Sequence, residues 1–390
     1  MIILLFWIAA AIVAYAYAGY PLWIYLQSRL HPRKWAQGRM YPTVSIIMAV
    51  HNGAKLLRGK ITHLLNVDYP RDLVEILIVS DGSHDGTNEI LEEIKHPRLI
   101  KVICPDHQGK ANALNHGISR ATGEVLVFVD VRPKLEKNAL RQIVSNFKDS
   151  EVGCVAGELH LRIADHDACT KAVSSLYWRY EQGIRKCESM VDSPVGVYGG
   201  FYAIRRELAT SLPPGLILDD MYQPLSIIGR GFRSVIDDRA RVWDTWPKTS
   251  GAEFQRKVRT LAGNYQLLKA APWLLRRMNR LRFQLISHKL IRLAVPFCLL
   301  FLLLGSWILR GNWPYTALFL GQVIFYGLAV LGLVWDTRIL RRIAAPAAAL
   351  VLLNAAALVA LFMVLLKPNS LLNLWVKLEG PIEESTAHAA

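Results

Sequence analysis

Ile76-Leu77-Ile78-Val79-Ser80-Asp81-Gly82-Ser83-His84-Asp85-Gly86-Thr87 is the stretch that decides the fold. An apolar run of strand length breaks into Asp-Gly-Ser-x-Asp-Gly. That is the pattern of a buried parallel strand whose carboxyl end becomes a polar turn. In open α/β sheets, ligands bind at such ends. A carboxylate there can accept hydrogen bonds from a nucleotide base or ribose. Asp85 reads as an Asx turn leading into a helix from Asn88 to Lys95.

Three neighbouring segments extend this reading. Val44-Ser45-Ile46-Ile47-Met48-Ala49-Val50-His51-Asn52 is an earlier strand with a polar end. Lys110-Ala111-Asn112-Ala113-Leu114-Asn115 opens a helix after the turn His107-Gln108-Gly109. Gly123-Glu124-Val125-Leu126-Val127-Phe128-Val129-Asp130 is a third strand ending in a carboxylate. Strands near 44–50, 76–80 and 125–129 alternate with helical segments near 54–66, 88–95, 110–121 and 136–148. This order predicts an α/β fold with a mostly parallel sheet and flanking helices. His51, Asp81 and Asp130 then converge on one rim.

The order and spacing of these motifs resemble the family 2 glycosyltransferases, inverting enzymes that use nucleotide sugars on a GT-A fold. The resemblance runs from about Val44 to Thr260. It implies that Ala49, His51 and Asp81 hold the base and ribose. It also implies that Lys110 approaches the diphosphate, beside a helix N-terminus that offers N–H groups to an anion. Two positions depart from the family pattern: Gly53 stands where an acid usually follows the Asn, and Ser80 replaces an acid often found before Asp81. Asp130 falls on the first Asp of the family's Asp-x-Asp motif, which binds ribose and a divalent metal. Here the motif reads Asp130-Val131-Arg132. Mg²⁺ or Mn²⁺ held by Asp130, substrate phosphates and water is the expected cofactor. The competing account has Arg132 supply positive charge to the leaving diphosphate.

On the acceptor side, Gly196-Val197-Tyr198-Gly199-Gly200-Phe201-Tyr202 resembles the family strand along which a sugar approaches the backbone. Gly199 and Gly200 are the small residues there, although a glycine-bent strand looks the same. Leu216-Ile217-Leu218-Asp219-Asp220-Met221-Tyr222 matches the family's acidic pair at a helix start. Asp220 is the expected general base and Asp219 its orienting partner. Helix capping is the structural alternative for one of the two. Adjacent acids can raise one another's pKa and keep one more basic. Phe254-Gln255-Arg256-Lys257-Val258-Arg259-Thr260 resembles the family segment Gln-x-x-Arg-Trp, with Arg256 for the Gln and Thr260 for the Trp. Arg256 and Arg259 are expected at the nucleotide and Lys257 at the surface. The missing tryptophan removes an aromatic platform for a polymer end, which argues against a processive synthase.

The chain has 390 residues, 52 % of them hydrophobic, and a mean hydropathy of +0.23, high for a soluble enzyme. The excess sits in four uncharged runs, Met1 to Gln27, Leu293 to Leu309, Trp313 to Trp335 and Ile343 to Leu366. A bilayer span needs ~20 apolar residues. The first run lacks a basic start and a cleavage site and reads as an uncleaved anchor. The expected organisation is an anchor over 1–27, a GT-A domain over 28–260, interfacial helices over 261–292, three spans over 293–366 and an extracytoplasmic tail over 367–390.

The net charge is +15. Its basic residues cluster at 29–39, 276–292 and 338–342, beside the spans, so the positive-inside rule places the central domain in the cytoplasm of a multi-pass inner-membrane protein. Anionic lipid headgroups explain these clusters better than nucleic acid does, and no nucleic-acid partner is expected. Five cysteines show no metal spacing and read as reduced thiols.

The leading reading is a membrane-bound inverting glycosyltransferase moving a sugar from a UDP- or GDP-sugar to a lipid-linked or nascent cell-surface glycan. A processive exopolysaccharide synthase is the alternative within the class. From another class, an inactive glycosyltransferase-like scaffold would work with polysaccharide assembly or export partners. The joint presence of Lys110, Asp219, Asp220 and Arg259 argues against that scaffold.

Overall fold

A computed structural model of the protein describes residues 1–162, 168–245, 250–334 and 338–366. Helices α1 (Ile2–Ala14) and α2 (Tyr20–Leu30) join through a π turn into one long helix. The α/β domain follows. It opens with β1 (Val44–Val50), α3 (Ala54–Leu65), β2 (Val74–Asp81), α4 (Thr87–Glu93) and β3 (Leu99–Cys104). It continues with α5 (Lys110–Arg120), β4 (Val125–Val129), β5 (Lys134–Leu135), α6 (Ala139–Ser145), β6 (Val152–Arg162) and α7 (Ala168–Val191). It closes with β7 (Phe201–Arg205), α8 (Asp219–Gly229), β8 (Arg233–Thr245) and α9 (Ser250–Ala270). Helix α10 (Arg282–Leu285) runs through a π turn into α11 (Ile291–Ile308), followed by α12 (Trp313–Val334) and α13 (Arg338–Leu366).

Every residue of β1 is buried, as its unbroken apolar run predicts for a strand covered on both faces. Alternate side chains go to opposite layers. Ile46, Met48 and Val50 pack with Leu57 and Ile61 of α3 and Ile143 of α6. Ile47 joins Ala113 and Leu114 of α5 on the other side. The eight strands form one sheet in the order β3-β2-β1-β4-β7-β6-β8-β5. The β3-β2-β1-β4 half is parallel, and β7 is antiparallel to both β4 and β6. The carboxyl ends of β1, β2 and β4 therefore share a rim. Because β7 runs the other way, its start enters at that rim, with Phe201 paired to Val129.

The stretches Ile2–Leu30, Arg282–Ile308, Trp313–Gly332 and Ile343–Leu366 are long and apolar enough to cross a membrane. Trp7, Leu22, Ile308, Ile324 and Phe362 point outward on them, as a lipid-facing surface requires. Two expected boundaries fall inside helices. Residues 261–270 continue α9, and 282–292 belong to the helix that becomes the second apolar stretch. The tail at 367–390 lies outside the described residues.

Buried charges tie the domain to these helices. His288, before α11, lies 2.8 Å from Glu188 and 3.1 Å from Glu181 of α7. Tyr20 of α2 donates to Glu188 at 2.6 Å, and Arg292 pairs with Glu181 at 2.9 Å. Charges buried this deeply persist only when paired.

Two glycines give a contrasting stability test. Gly82 has φ +60°, and a Cβ there would overlap the His107 backbone. Gly59 lies exposed in α3 with nothing near its missing Cβ. Gly82→Ala is expected to destabilise the protein by about 2–4 kcal/mol, from left-handed strain plus overpacking. Gly59→Ala should raise stability by about 0.5–1 kcal/mol. Thermal unfolding in detergent reads both, and equal effects would contradict the turn geometry.

Candidate active site

The turn after β2 is built around Asp81, which is fully buried. Its carboxylate accepts from Gln108 N at 3.0 Å and Gly109 N at 2.8 Å, with His107 Nδ1 at 2.9 Å. This departs from the expectation of a nucleotide contact. The carboxylate is consumed in clamping the turn that delivers Lys110. His51 Nδ1 lies 2.6 Å from the Asp81 carbonyl oxygen, and its ring packs on His107 with centroids 3.9 Å apart. Ala49 keeps its methyl in the apolar layer, so only its backbone can meet a ligand. The loops after β1 and β2 are sewn together. Gly53 N donates to Thr87, Ala54 N to Asp85, and His84 N to Asn52. Asp85 also accepts from Thr87 N, the expected Asx turn.

Lys110 follows Gly109, whose φ of +93° turns the chain into α5. The Lys110 ammonium lies 3.1 Å from Asp130, at the end of β4, and 3.3 Å from Asp219, in the first turn of α8. Burial pulls the lysine pKa down, but Asp130, Asp219 and Asp220 outweigh it and hold the ammonium charged. Asp219 is buried and accepts from Tyr202 at 3.4 Å. Burial and the Asp219 charge push the Asp220 carboxyl up to about 6. Gly199 packs against this carboxyl, since a Cβ there would lie 3.0 Å from Asp220 Oδ2. The Gly200 carbonyl accepts from Asp130 N at 3.3 Å. Sequence-distant Lys110, Asp130, Gly199, Gly200, Asp219 and Asp220 thus form one cluster.

Arg259 of α9 faces the same acids. Burial lowers its pKa, and Asp130, Asp220 and Asp219 oppose that shift. It forms no ion pair among the described residues.

Three side chains differ from the sequence expectation. Arg132 is bound at both ends by Asp244, at 2.6 and 2.7 Å. Its charge is taken up inside the protein, because the Asp244 carboxylate is buried and needs a partner. Arg256 is turned to Glu253, at 3.0 Å. Lys257 is not a surface residue. It sits 3.7 Å from the Tyr177 ring centroid, and burial lowers its pKa to about 7 despite Glu253.

Lys60, Tyr198 and Asp244 were missed by sequence reasoning. Lys60 is buried and donates to the Pro133 carbonyl. Burial lowers it to about 8, against the opposing charges of Asp130 and Asp244. Tyr198 donates to Asp244 at 3.3 Å. The only local signal was the odd Arg132 in an acidic motif, which demanded a counter-charge elsewhere.

The mostly parallel sheet with flanking helices is a GT-A-type fold. A mannosyltransferase from Pyrobaculum calidifontis, solved with GDP-mannose and Mn²⁺, superimposes with a TM-score of 0.70. It covers 93 % of this chain and 99 % of that one at 23 % identity, a likeness of fold. Residues 45–211 match the model of glycosyl transferase family 2. The match runs from β1 to the segment just after β7. A poly-β-1,6-N-acetyl-D-glucosamine synthase of Staphylococcus aureus is 25 % identical over 231 residues, which are 58 % of this chain and 55 % of that protein. The probable glycosyltransferase YdaM of Bacillus subtilis is 26 % identical over 251 residues, 60 % of this chain and 59 % of that protein. The chain spans a little over half the length of these two relatives.

The Arg132–Asp244 pair can be tested by removal. Arg132→Ala leaves a buried carboxylate unpaired and should destabilise the protein by about 3–5 kcal/mol. Arg132→Met combined with Asp244→Leu should recover most of that loss in denaturant unfolding. Equal destabilisation by the single and double changes would contradict the pairing.

Proposed function

We propose that this protein transfers a sugar from a UDP- or GDP-sugar, with inversion, to a lipid-linked or nascent cell-surface glycan. The catalytic domain would work on the cytoplasmic side of the inner membrane, where nucleotide sugars are available. The basic clusters beside the spans support that orientation. The observation that carries the proposal is the Lys110 ammonium bridging Asp130 and Asp219, beside an Asp220 carboxyl raised to about 6.

In this reading the rim at His51 receives the base and ribose. Lys110 and Arg259 face the diphosphate. The acceptor hydroxyl lies against Gly199 and hydrogen-bonds Asp220. As its oxygen bonds to the anomeric carbon, its proton passes to the Asp220 carboxylate, and the bond from that carbon to the diphosphate oxygen breaks. The released negative charge develops beside the Lys110 and Arg259 cations, which stabilises the transition state. Asp219, held by Lys110 and Tyr202, is itself raised by burial while Lys110 opposes that shift, and its charge next to Asp220 raises Asp220 in turn.

Among the described residues no three His, Cys, Asp or Glu side chains cluster to form a metal cage. Asp130 is half exposed, with a side-chain accessibility of 42 %. A single carboxylate completed by diphosphate oxygens and water fits Mg²⁺ or Mn²⁺. Asp130 would hold such an ion, which would neutralise diphosphate charge. The mannosyltransferase that shares this fold was solved with GDP-mannose and Mn²⁺, which supports use of a divalent ion.

A second reading, processive synthesis, draws support from the polymer synthase among the relatives and from the three apolar helices after the domain. Thr260, exposed where an aromatic platform would stand, favours transfer of single sugars.

Asp220→Asn tests the mechanism. Nucleotide release should fall by about 10²-fold or more, with nucleotide affinity largely kept. Asp219→Asn should lose less. The wild-type kcat/KM should fall as pH drops through about 6, because a protonated Asp220 cannot take the proton. An Asp220→Asn protein near wild-type rate would contradict the proposal.

A further inference from the structure

Lys60 is a charged residue at a core position. Leu57, Ile61 and Leu64 form the buried face of α3, and Lys60 lies on that face and is buried with them. An ammonium taken out of water is costly unless nearby charge compensates it. Lys60 donates to the neutral Pro133 carbonyl, in the turn that follows Asp130. It has no ion pair of its own among the described residues. The carboxylates whose charges favour its ammonium form are Asp130 and Asp244. Asp244 is already closed on Arg132, at 2.6 and 2.7 Å. The Lys60 charge is therefore set against Asp130.

Around Asp130 the charges balance before any ligand arrives. Lys60, Lys110, Arg132 and Arg259 face Asp130, Asp219, Asp220 and Asp244, one carboxylate to each cation. Arg256 and Lys257 turn to Glu253, and Asp81 turns to His107. Arg132 is part of this balance. An acid in its place would leave the rim negative and able to draw a cation unaided. As it stands, a divalent cation arriving alone meets one half-exposed carboxylate that already holds Lys110 at 3.1 Å. It would also tip the rim to net positive. A nucleotide supplies what is missing, since its diphosphate oxygens are both ligands and counter-charge.

We infer that Lys60 is a resident counter-cation that keeps a divalent ion out of the empty site, so that ion and nucleotide enter together. The inference rests on the glycosyltransferase reading above and adds an order of binding and the residue that enforces it. Lys60 is a positioning residue. It acts through the charge it sets behind Asp130 and touches neither ion nor nucleotide. Removing that charge should let the ion bind first.

The full chain in phosphatidylcholine nanodiscs would be titrated with Mn²⁺ and followed by the EPR signal of the free ion, with empty nanodiscs and nucleotide alone as controls. The wild type should bind Mn²⁺ about tenfold or more tightly with UDP or GDP than without, because the phosphates complete the ligand set. Lys60→Met should bind Mn²⁺ without nucleotide about tenfold more tightly than wild type, the scale of one removed charge at close range. Lys60→Arg keeps the charge and should bind as wild type does. Adding Asp130→Asn to Lys60→Met should abolish the gain. A loosened fold does not tighten a metal site, so the gain separates a charge role from a packing role. Lys60→Gln, which keeps a donor for Pro133, gives the same reading if Lys60→Met fails to fold. A variant no tighter than wild type would overturn the inference. So would a gain that survives Asp130→Asn, or a wild-type Mn²⁺ affinity that nucleotide leaves unchanged. Failure of both UDP and GDP to bind, with or without Mn²⁺, would instead overturn the glycosyltransferase reading itself.

Discussion

The Lys110 ammonium is the interaction on which the site depends. It joins the start of α5, the end of β4 and the first turn of α8, three elements that the sheet brings together from distant parts of the chain. Three carboxylates crowd this point, and acids so close would repel without a cation among them. One lysine cannot neutralise all three. Asp130 and Asp219 take its two contacts, burial raises the pKa of both Asp219 and Asp220, and the Asp219 charge pushes Asp220 up further, to about 6. Asp220 is the one of the three without an ion pair to Lys110.

Lys110 is itself placed by groups that never need to touch a ligand. Asp81 spends its carboxylate on the 107–109 turn, and Gly109 supplies the positive φ that the turn requires. Beneath Asp130, Arg132 and Asp244 form a closed pair, and the Lys60 ammonium anchors the Pro133 carbonyl. Arg132 takes the place of the family's second acid and brings a compensating carboxylate from β8. The rim keeps its balance of charge although the motif has changed. On the far side, α7 carries the glutamates that His288 and Arg292 bind. One helix therefore connects the apolar helices to the α/β domain.

The parallel half of the sheet was legible because β1, β2 and β4 are apolar runs of strand length, buried on both faces. The polar strand ends put His51, Asp81 and Asp130 on one rim, and the resemblance added Lys110, Asp219 and Asp220, which lie together with Asp130. Strand β3 escaped notice because Lys101 interrupts it and half its positions are partly open. Strand β8 carries Asp237, Asp238, Arg239 and Arg241, and it reads as a loop until its pairing with β6 is known. The side chains that differed share a cause. Lys60 and Lys257 look like solvent-facing lysines of amphipathic helices, and only tertiary packing buries them. Arg132 and Asp244 are 112 residues apart, so no local pattern could announce their pairing.

We propose the Lys110 cluster as the place where the diphosphate leaves and Asp220 as the group that takes the acceptor proton. A cryo-EM map of the full chain in nanodiscs with UDP or GDP and Mn²⁺ tests it most directly. The diphosphate should lie within about 4 Å of the Lys110 ammonium, the range of an ion pair. Arg259 and Asp130 should face it, and Asp220 should stay free of the nucleotide on the Gly199 side. Nucleotide density away from Lys110, or a nucleotide bound directly by Asp220, would contradict the account.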